Sequence, residues 1–426
     1  MVETGQSEGG VRYRWVVLVV AFLVHATCIA LIWQAVPPLK QAMAPDLGTP
    51  WQQVVVVYAA VSFGLVFTQL PGGALGDKYP VRYVVGLGAV FAGLATALRF
   101  AVPSLLGQVL VSVVAAVGMG LVNPNLIKVV TEWFPSRQLG LGQGILMSGN
   151  TLAAGLALSL SAGTVLGAVG DWQGVFLLYG GLTVAAGVLW LLLVRSPHEN
   201  ERPTNPETGL PFSTSEGVPL RESLSAVLRS PSTPWAVALT GLAFWAILGS
   251  LAVLPEFADA HTFDVPEYLL GTPLFLATIG AIGLPVLSDK YSRRLGLYMG
   301  ILGLSLGVLL TGVAPSLPAF VLGMAVAGLF GGGLNAMFYL LPGELADIDP
   351  THVGTMAGVI LSLSQIGAVA ASIAGAQVLT AYGLEASAVF VAGPTLVGLL
   401  LVTKLHLDGR GEVAAQETVA AGVGDD

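Results

Sequence analysis

Twelve apolar stretches of about twenty residues each constrain this chain more than any motif does. They run near 15–37, 51–71, 83–102, 105–130, 141–165, 174–194, 235–255, 267–287, 295–314, 318–341, 353–378 and 386–404. A helix rising 1.5 Å per residue needs about twenty residues to cross a hydrocarbon core of roughly 30 Å. In that core each backbone polar group must be satisfied within the segment, which leaves the α-helix as the form such stretches take. Charged residues are 10% of the 426-residue chain, against roughly 25% in a soluble domain, so the surface is not built for water. Many of the 55 glycines fall inside the apolar stretches, where small residues let helices approach closely. The expectation is an all-α membrane protein of twelve transmembrane helices.

A second pattern divides the twelve in two. Asp77-Lys78-Tyr79 recurs as Asp289-Lys290-Tyr291, and an offset of 212 residues also carries Arg82 to Arg294, Gly120 to Gly332, Asn123 to Asn335, Glu132 to Glu344 and Gly142 to Gly354. One register kept over this length predicts a duplication, hence two pseudo-symmetric six-helix halves. The expected organisation is a tail at 1–14, a first half at 15–194, a linker at 195–234, a second half at 235–404 and a tail at 405–426. The linker is rich in Pro, Ser, Thr and charge, and reads as a flexible loop. Within it, residues 222–230 (ESLSAVLRS) have helical spacing with one apolar face. The Gly/Ala/Glu-rich tail reads as disordered.

Charge fixes the expected orientation. Arg12, Arg14, Lys78, Arg82, Arg137, Arg195, Arg202, Arg221, Arg229, Lys290, Arg293, Arg294, Lys404 and Arg410 fall on one side, Lys40 and Arg99 on the other, and Lys128 within a span. Positive residues stay in the cytoplasm, so both termini are expected there, in a multi-pass protein of the plasma membrane. No basic patch suits nucleic acid, and the net charge of −8 is no clue to partners. The first span is too long for a secretory h-region and lacks a cleavage site after it. Cys28 is the sole cysteine, which rules out an internal disulfide and a multi-cysteine metal site. Nothing calls for a cofactor, no nucleophile–base pair stands out, and the reading is not an enzyme.

The segments GGALGDKYPVRY (72–83) and GLPVLSDKYSRRL (283–295) resemble the loop signature of the major facilitator superfamily. The resemblance implies six-plus-six helices around a central cavity that opens alternately to either side. It makes Asp77, Lys78, Arg82, Asp289, Lys290 and Arg294 gating residues; physically, each carboxylate could accept from a helix N-terminus while basic residues pair with it. NPNLIKVVTEWFPSRQLGLGQGILMSGN (123–150) followed by GDWQGVF (170–176) resembles a stretch of nitrate/nitrite and cyanate porters. The fifth span lacks the glycine–proline run of multidrug exporters, and the fourth has no arginine.

No Asp or Glu falls near the middle of any span, which disfavours a cationic cargo. The ionisable residues inside spans are His25, near the centre of the first, and Lys128, in the inner half of the fourth. His25 can titrate near neutrality or bond a solute, or simply bond a neighbouring helix. In this superfamily the first, fourth, seventh and tenth helices line the cavity, which would turn Lys128 towards an anion; snorkelling and pairing with Glu132 are the structural alternatives. Asn123 and Asn335 are symmetry mates with carboxamides suited to a polar solute, and Gln34, Thr240, Trp245 and Tyr339 are candidate companions. Ser148, Asn150, Ser364 and Gln365 read as helix–helix contacts, and Gly331-Gly332-Gly333 as a close crossing or bend.

The resulting expectation is a secondary transporter that moves a small anion or polar organic compound by alternating access, as a monomer in lipid. Protons through His25 or a counter-transported anion are the candidate coupling partners. Competing readings are an efflux pump for amphipathic drugs and a transporter-like solute sensor.

Overall fold

The computed structural model describes residues 8–134, 136–197, 220–349 and 352–407. Most of the 195–234 linker and of the 405–426 tail therefore lies outside the described residues. Among the described residues, twelve helices are long and apolar enough to cross a membrane. In the first half they are α1 (Arg12–Gln34), α2 (Trp51–Gly76), α3 (Val81–Ala101), α4 (Leu105–Trp133), α5 (Leu141–Val169) and α6 (Trp172–Leu193). In the second they are α7 (Thr233–Ala260), α8 (Glu267–Ser288), α9 (Arg293–Gly312), α10 (Leu317–Gly343), α11 (Val353–Tyr382) and α12 (Leu384–Val402). Each begins and ends within about five residues of its apolar stretch, α2 and α7 running on furthest, through Gly76 and Ala260, and the first is followed by a further helical segment, Val36–Asp46.

The chain divides into two compact units, Met1–Leu220 and Arg221–Asp426. The short helix Leu220–Arg229, foreseen from ESLSAVLRS, thus belongs largely with the second unit. It is tied there by Ser223, whose Oγ lies 3.1 Å from His352 Nδ1, and by Ser230 Oγ, which donates to Asp347 Oδ2 at 2.6 Å. Val227 is fully buried on the same face.

Local chemistry sets the helix ends. Ser104 Oγ accepts from Gly107 N at the start of α4, and Asp171 Oδ1 from Gly174 N at the start of α6, each satisfying an orphan donor of the first turn. Proline opens α7, α10 and the Thr272–Lys290 helix that makes up most of α8, where its missing N–H costs nothing. Gly170, at φ 96°, turns the chain from α5 into α6 through a conformation that L side chains rarely adopt. Just beyond it, Trp172 Nε1 donates to Asp46 Oδ2 at 2.7 Å, joining the start of α6 to the end of Val36–Asp46.

The close pairing of α2 with α4 in the first unit repeats as α8 with α10 in the second; α3 also packs closely on α6, and α7 on α11. A methyl added at Gly72 would run into the carbonyl of Gly120, and one added at Gly280 into the carbonyl of Leu329. Gly93 and Gly180 face each other's carbonyls across α3 and α6 in the same way. The outward faces carry large apolar side chains such as Phe67, Leu87, Leu110 and Leu192, the surface lipid tails would cover. The two cations assigned to the far side are not on the surface. Lys40 is fully buried with its ammonium 5.2 Å from the Trp51 ring, and Arg99 is fully buried over Phe176.

Candidate functional site

The first unit carries a chain of polar side chains deep among apolar ones. From His25 to Leu31 helix α1 opens into a wide π turn, a local departure that recurs at functional sites. His25 is buried on this turn, with Nδ1 3.0 Å from the carbonyl oxygen of Leu146 on α5. Its Nε2 lies 3.2 Å from Asn123 Oδ1 on α4, and Asn123 Nδ2 lies 3.4 Å from Gln69 Oε1 on α2. Two helices besides α1 therefore meet at the imidazole, and a third, α2, joins through Asn123. Asn123 and Gln69 each sit nine or ten residues from the basic ends of their helices, about 15 Å along the axis and so near mid-depth of a roughly 30 Å core. Gln69 is buried, while Asn123 is only partly so and is the exposed member of the chain.

Other residues singled out from sequence lie elsewhere. Lys128 Nζ, among its interactions, donates to Gly76 O at 2.9 Å, in the last turn of the α2 helix, where a cation complements the negative end of the helix dipole. Asn125 fixes the same crossing from the side, with Nδ2 2.8 Å from Gly72 O. Gln34 is buried and pairs with the hydroxyl of Tyr58, one turn beyond the π segment. Ser148 returns its hydroxyl to Ile145 O within α5.

In the second unit, Trp245 Nε1 donates to Phe390 O at 3.1 Å and its ring lies against Phe390, so it joins α7 to α12. Thr240 bonds back to Ala236 O in its own helix, as Ser364 does to Leu361 O. Asn335 has a buried Oδ1 without a partner, and Tyr339 lies one turn further along the same helix. Neither has a histidine beside it: α7 contains no ionisable residue before Glu256.

At the basic ends the duplication is visible in side-chain contacts. Arg82 Nε donates to Leu191 O at 2.8 Å, and Arg294 Nη2 to Leu405 O at 3.4 Å. Each symmetry-related arginine thus covers carbonyls at the close of the last span of its own half. Lys78 and Lys290 each lie over the ring of the following tyrosine, at 5.4 and 5.5 Å. The side chains of Asp77 and Asp289 lie outside what the structure describes. An ion pair joins Arg293 Nε to Glu344 Oε1 at 2.5 Å, with Arg293 Nη1 also 3.0 Å from Ser288 Oγ. Beside it Asp347 accepts from Ser230 Oγ and Ser232 N, and Ser232 Oγ lies 3.2 Å from His406 Nδ1. Burial pushes the Asp347 carboxyl up, but the bonds from Ser230 and Ser232 outweigh it and hold the group below the usual carboxylate range.

Gln69, Arg293, Glu344 and Asp347 escaped the reading of the sequence. Gln69 had a signal, being a polar side chain inside an apolar span, and Glu344 another, as the symmetry mate of Glu132. Among the described residues, no group of three or more His, Cys, Asp or Glu gathers as it would to hold a metal ion.

Comparison with known proteins places the chain. It is 25% identical over 338 residues to the "Probable sulfoacetate transporter" of Cupriavidus necator, covering 74% of this chain and 76% of that one. It is 29% identical over 336 residues to the 3-(3-hydroxy-phenyl)propionate transporter of Escherichia coli, covering 75% and 76%. The fold resembles that of a bacterial homolog of the human lysosomal transporter Spinster, with a TM-score of 0.64 at 16% identity over 92% of this chain and 94% of that one. These relatives give no specific support to the nitrate/nitrite and cyanate branch; the 123–150 segment on which that resemblance stood is too short to separate branches. The model of the Major Facilitator Superfamily matches residues 18–288 and 268–421, nearly the whole chain. With twelve membrane-crossing helices and relatives that are transporters of small solutes, the chain belongs to the Major Facilitator Superfamily.

Proposed function

We propose that this protein moves a small organic anion across the plasma membrane by alternating access, with both termini in the cytoplasm. The observation that carries the reading is the His25–Asn123–Gln69 chain, which puts hydrogen-bond donors and an ionisable imidazole at mid-depth in the first half. No carboxylate lies near the middle of any span, so nothing there would hold a cation. The relatives support the same class: sulfoacetate and 3-(3-hydroxy-phenyl)propionate are both organic acids that are ionised at neutral pH. The gating contacts would then be those at the basic ends, Arg82 and Arg294 on their carbonyls and Arg293 on Glu344, with Asp77, Lys78, Asp289 and Lys290 beside them. Lys128, Asn335, Tyr339, Trp245 and Gln34 are assigned supporting roles around the solute path. The protein acts without chemical conversion of its cargo.

The test is ligand stabilisation followed by uptake. Purified full-length protein is screened by thermal shift against sulfoacetate, 3-(3-hydroxy-phenyl)propionate, other carboxylates, choline and amphipathic drugs. A ligand at about 100 times its Kd adds roughly 2.7 kcal/mol to stability, which for a chain of this size is a shift of several degrees. Stabilisation by an organic anion, followed by its uptake into proteoliposomes and abolished by Asn123→Leu, is the expected result. Stabilisation by amphipathic cations alone would overturn the reading in favour of drug efflux; anion binding without transport would favour a solute sensor.

A further inference from the structure

The bonding of His25 has a property that follows from counting protons. Its Nδ1 faces the Leu146 carbonyl, which can only accept, so Nδ1 carries a hydrogen whatever the charge of the ring. A neutral imidazole then offers a lone pair at Nε2, 3.2 Å from an amide group. Two arrangements satisfy every atom, and they use the same heavy-atom positions because an amide can turn end for end. In one, the ring is an imidazolium: Nε2–H donates to Asn123 Oδ1, Asn123 Nδ2–H donates to Gln69 Oε1, and the chain ends on the amino group of Gln69. In the other, the ring is neutral: the Asn123 amino group donates to Nε2, the Gln69 amino group donates to Asn123 Oδ1, and the chain ends on the Gln69 carbonyl. Protonation therefore reverses the polarity of the whole chain, from donor-terminated and positive to acceptor-terminated and neutral.

We propose that His25 is the proton carrier of the transport cycle and that the Asn123–Gln69 relay converts its charge into selectivity for an anion, so that proton and anion bind together and leave together. This rests on the reading of the protein as an organic-anion transporter. Of five histidines, His25 alone lies within the twelve spans; the others, His198, His261, His352 and His406, lie outside them. The six spans of the first half contain one carboxylate, Glu132, next to the last residue of α4. The turn bearing His25 packs on α3, α4, α5 and α6, whose charged or titratable groups, with those of α1 and α2, are few. On α1 itself they are Arg12, Tyr13, whose hydroxyl donates to Leu193 O, Arg14, over Trp15 and Phe134, and the buried Cys28. On α4 they are Lys128, which among its interactions donates to Gly76 O, and Glu132; on α3, Arg82, on Leu191 O, Tyr83, and Arg99, held by Gln108 and Ser112. On α6 it is Tyr179, paired with Ser161, and on α2 Tyr58, paired with Gln34, with Asp77 and Lys78 at the basic end. The described segments of α5 contribute none within the span.

The electrostatic consequence explains why such coupling would be useful. Carrying one negative charge inward against a negative-inside potential costs about 2.3 kcal/mol per 100 mV. A monoanion loaded with one proton on His25 crosses as a neutral complex, so the potential no longer opposes it and a proton gradient drives accumulation. The relay in the second half is absent: Asn335 has no imidazole near it in sequence, and Ala281 stands at the register of Gln69. One proton per cycle is the stoichiometry this asymmetry sets.

Purified full-length protein titrated with sulfoacetate and with 3-(3-hydroxy-phenyl)propionate, between pH 5.5 and 8.5, provides the test. The expected result is an apparent Kd that weakens about ten-fold per pH unit above the histidine titration, and uptake of close to one proton per anion at pH 8 in calorimetry across buffers of different ionisation heat. His25→Gln, which keeps the donors but not the titration, should bind anion with a Kd that is flat with pH. Gln69→Leu should bind at least ten-fold more weakly at pH 5.5 while still showing proton uptake. Wild-type binding that is equally tight at pH 5.5 and 8.5 with no proton taken up would overturn the coupling and leave the anion-transport reading intact. Retained pH dependence in His25→Gln would do the same. If neither anion, nor any other in the screen, binds at any pH, the anion reading itself fails and the coupling with it.

Discussion

Asp347 is a carboxylate placed to receive: the hydroxyl of Ser230 and the backbone N–H of Ser232 both point at its Oδ2. Because these bonds hold its carboxyl below the usual range, they stabilise the fold above the unfolded-state value near 3.9, and the contribution is lost as pH falls through the folded-state value. Asp347→Asn is expected to lower stability at pH 7 by about 1 kcal/mol, at the low end for a charged bond because the group is partly exposed. The difference from wild type, followed by thermal unfolding in detergent, should shrink as pH drops below about 4; a gap of constant size would mean that shape rather than charge is what matters. At this scale His25 and Asn123 were legible, since an ionisable or amide group inside an apolar run has few reasons to be there. Their partner Gln69 was not singled out, and for Lys128 the sequence left a cavity-facing role, snorkelling and pairing with Glu132 open, without showing that its ammonium, among its interactions, reaches a carbonyl of α2. Sequence gives the depth of a residue along its helix but not the azimuth of the neighbour it meets, and long side chains such as Lys can turn either way.

Between elements, packing is governed by glycines that bring backbones together. Gly72→Ala and Gly280→Ala each force a methyl against a backbone carbonyl of the facing helix, an overlap that no rotamer change can relieve. Each should cost about 1–3 kcal/mol or more and reduce the yield of monodisperse protein in detergent. Gly283→Ala, where nothing lies within 4 Å, is the control and should be silent. Equal melting temperatures for all three would show that the crossings are looser than described. The duplication foretold these matched crossings: Gly120 and Gly332 occupy equivalent positions, and both sit against their neighbours with no space for a side chain. It could not foretell that Arg82 and Arg294 would reach carbonyls at the close of the last span of each half, because that depends on where the sixth helix of each half ends in space, a contact made across more than a hundred residues.

For the molecule as a whole, the twelve spans were readable to within about five residues because the bilayer imposes a length and a polarity that no loop can imitate. The proposed orientation is open to direct labelling. Cys28 is fully buried, so a second cysteine can be introduced without removing it. Glu385→Cys, at the start of α12, should react with a membrane-impermeant maleimide in intact cells, while Glu222→Cys, in the exposed part of the linker helix, should react only after the membrane is opened. The reverse pattern would invert the topology and with it the assignment of the gating ends.

The wide turn at His25–Leu31 has a consequence for how relatives should be sorted. A turn closed over five residues instead of four holds one residue more than the helix around it needs, so the residues on either side belong to different angular registers. A relative whose first helix is regular would align with a one-residue gap inside 25–31, and would present a different side chain to α4 and α5 at that depth. Such a gap, together with a missing histidine, is the mark that would separate members that carry their proton on the first helix from those that carry it elsewhere or not at all.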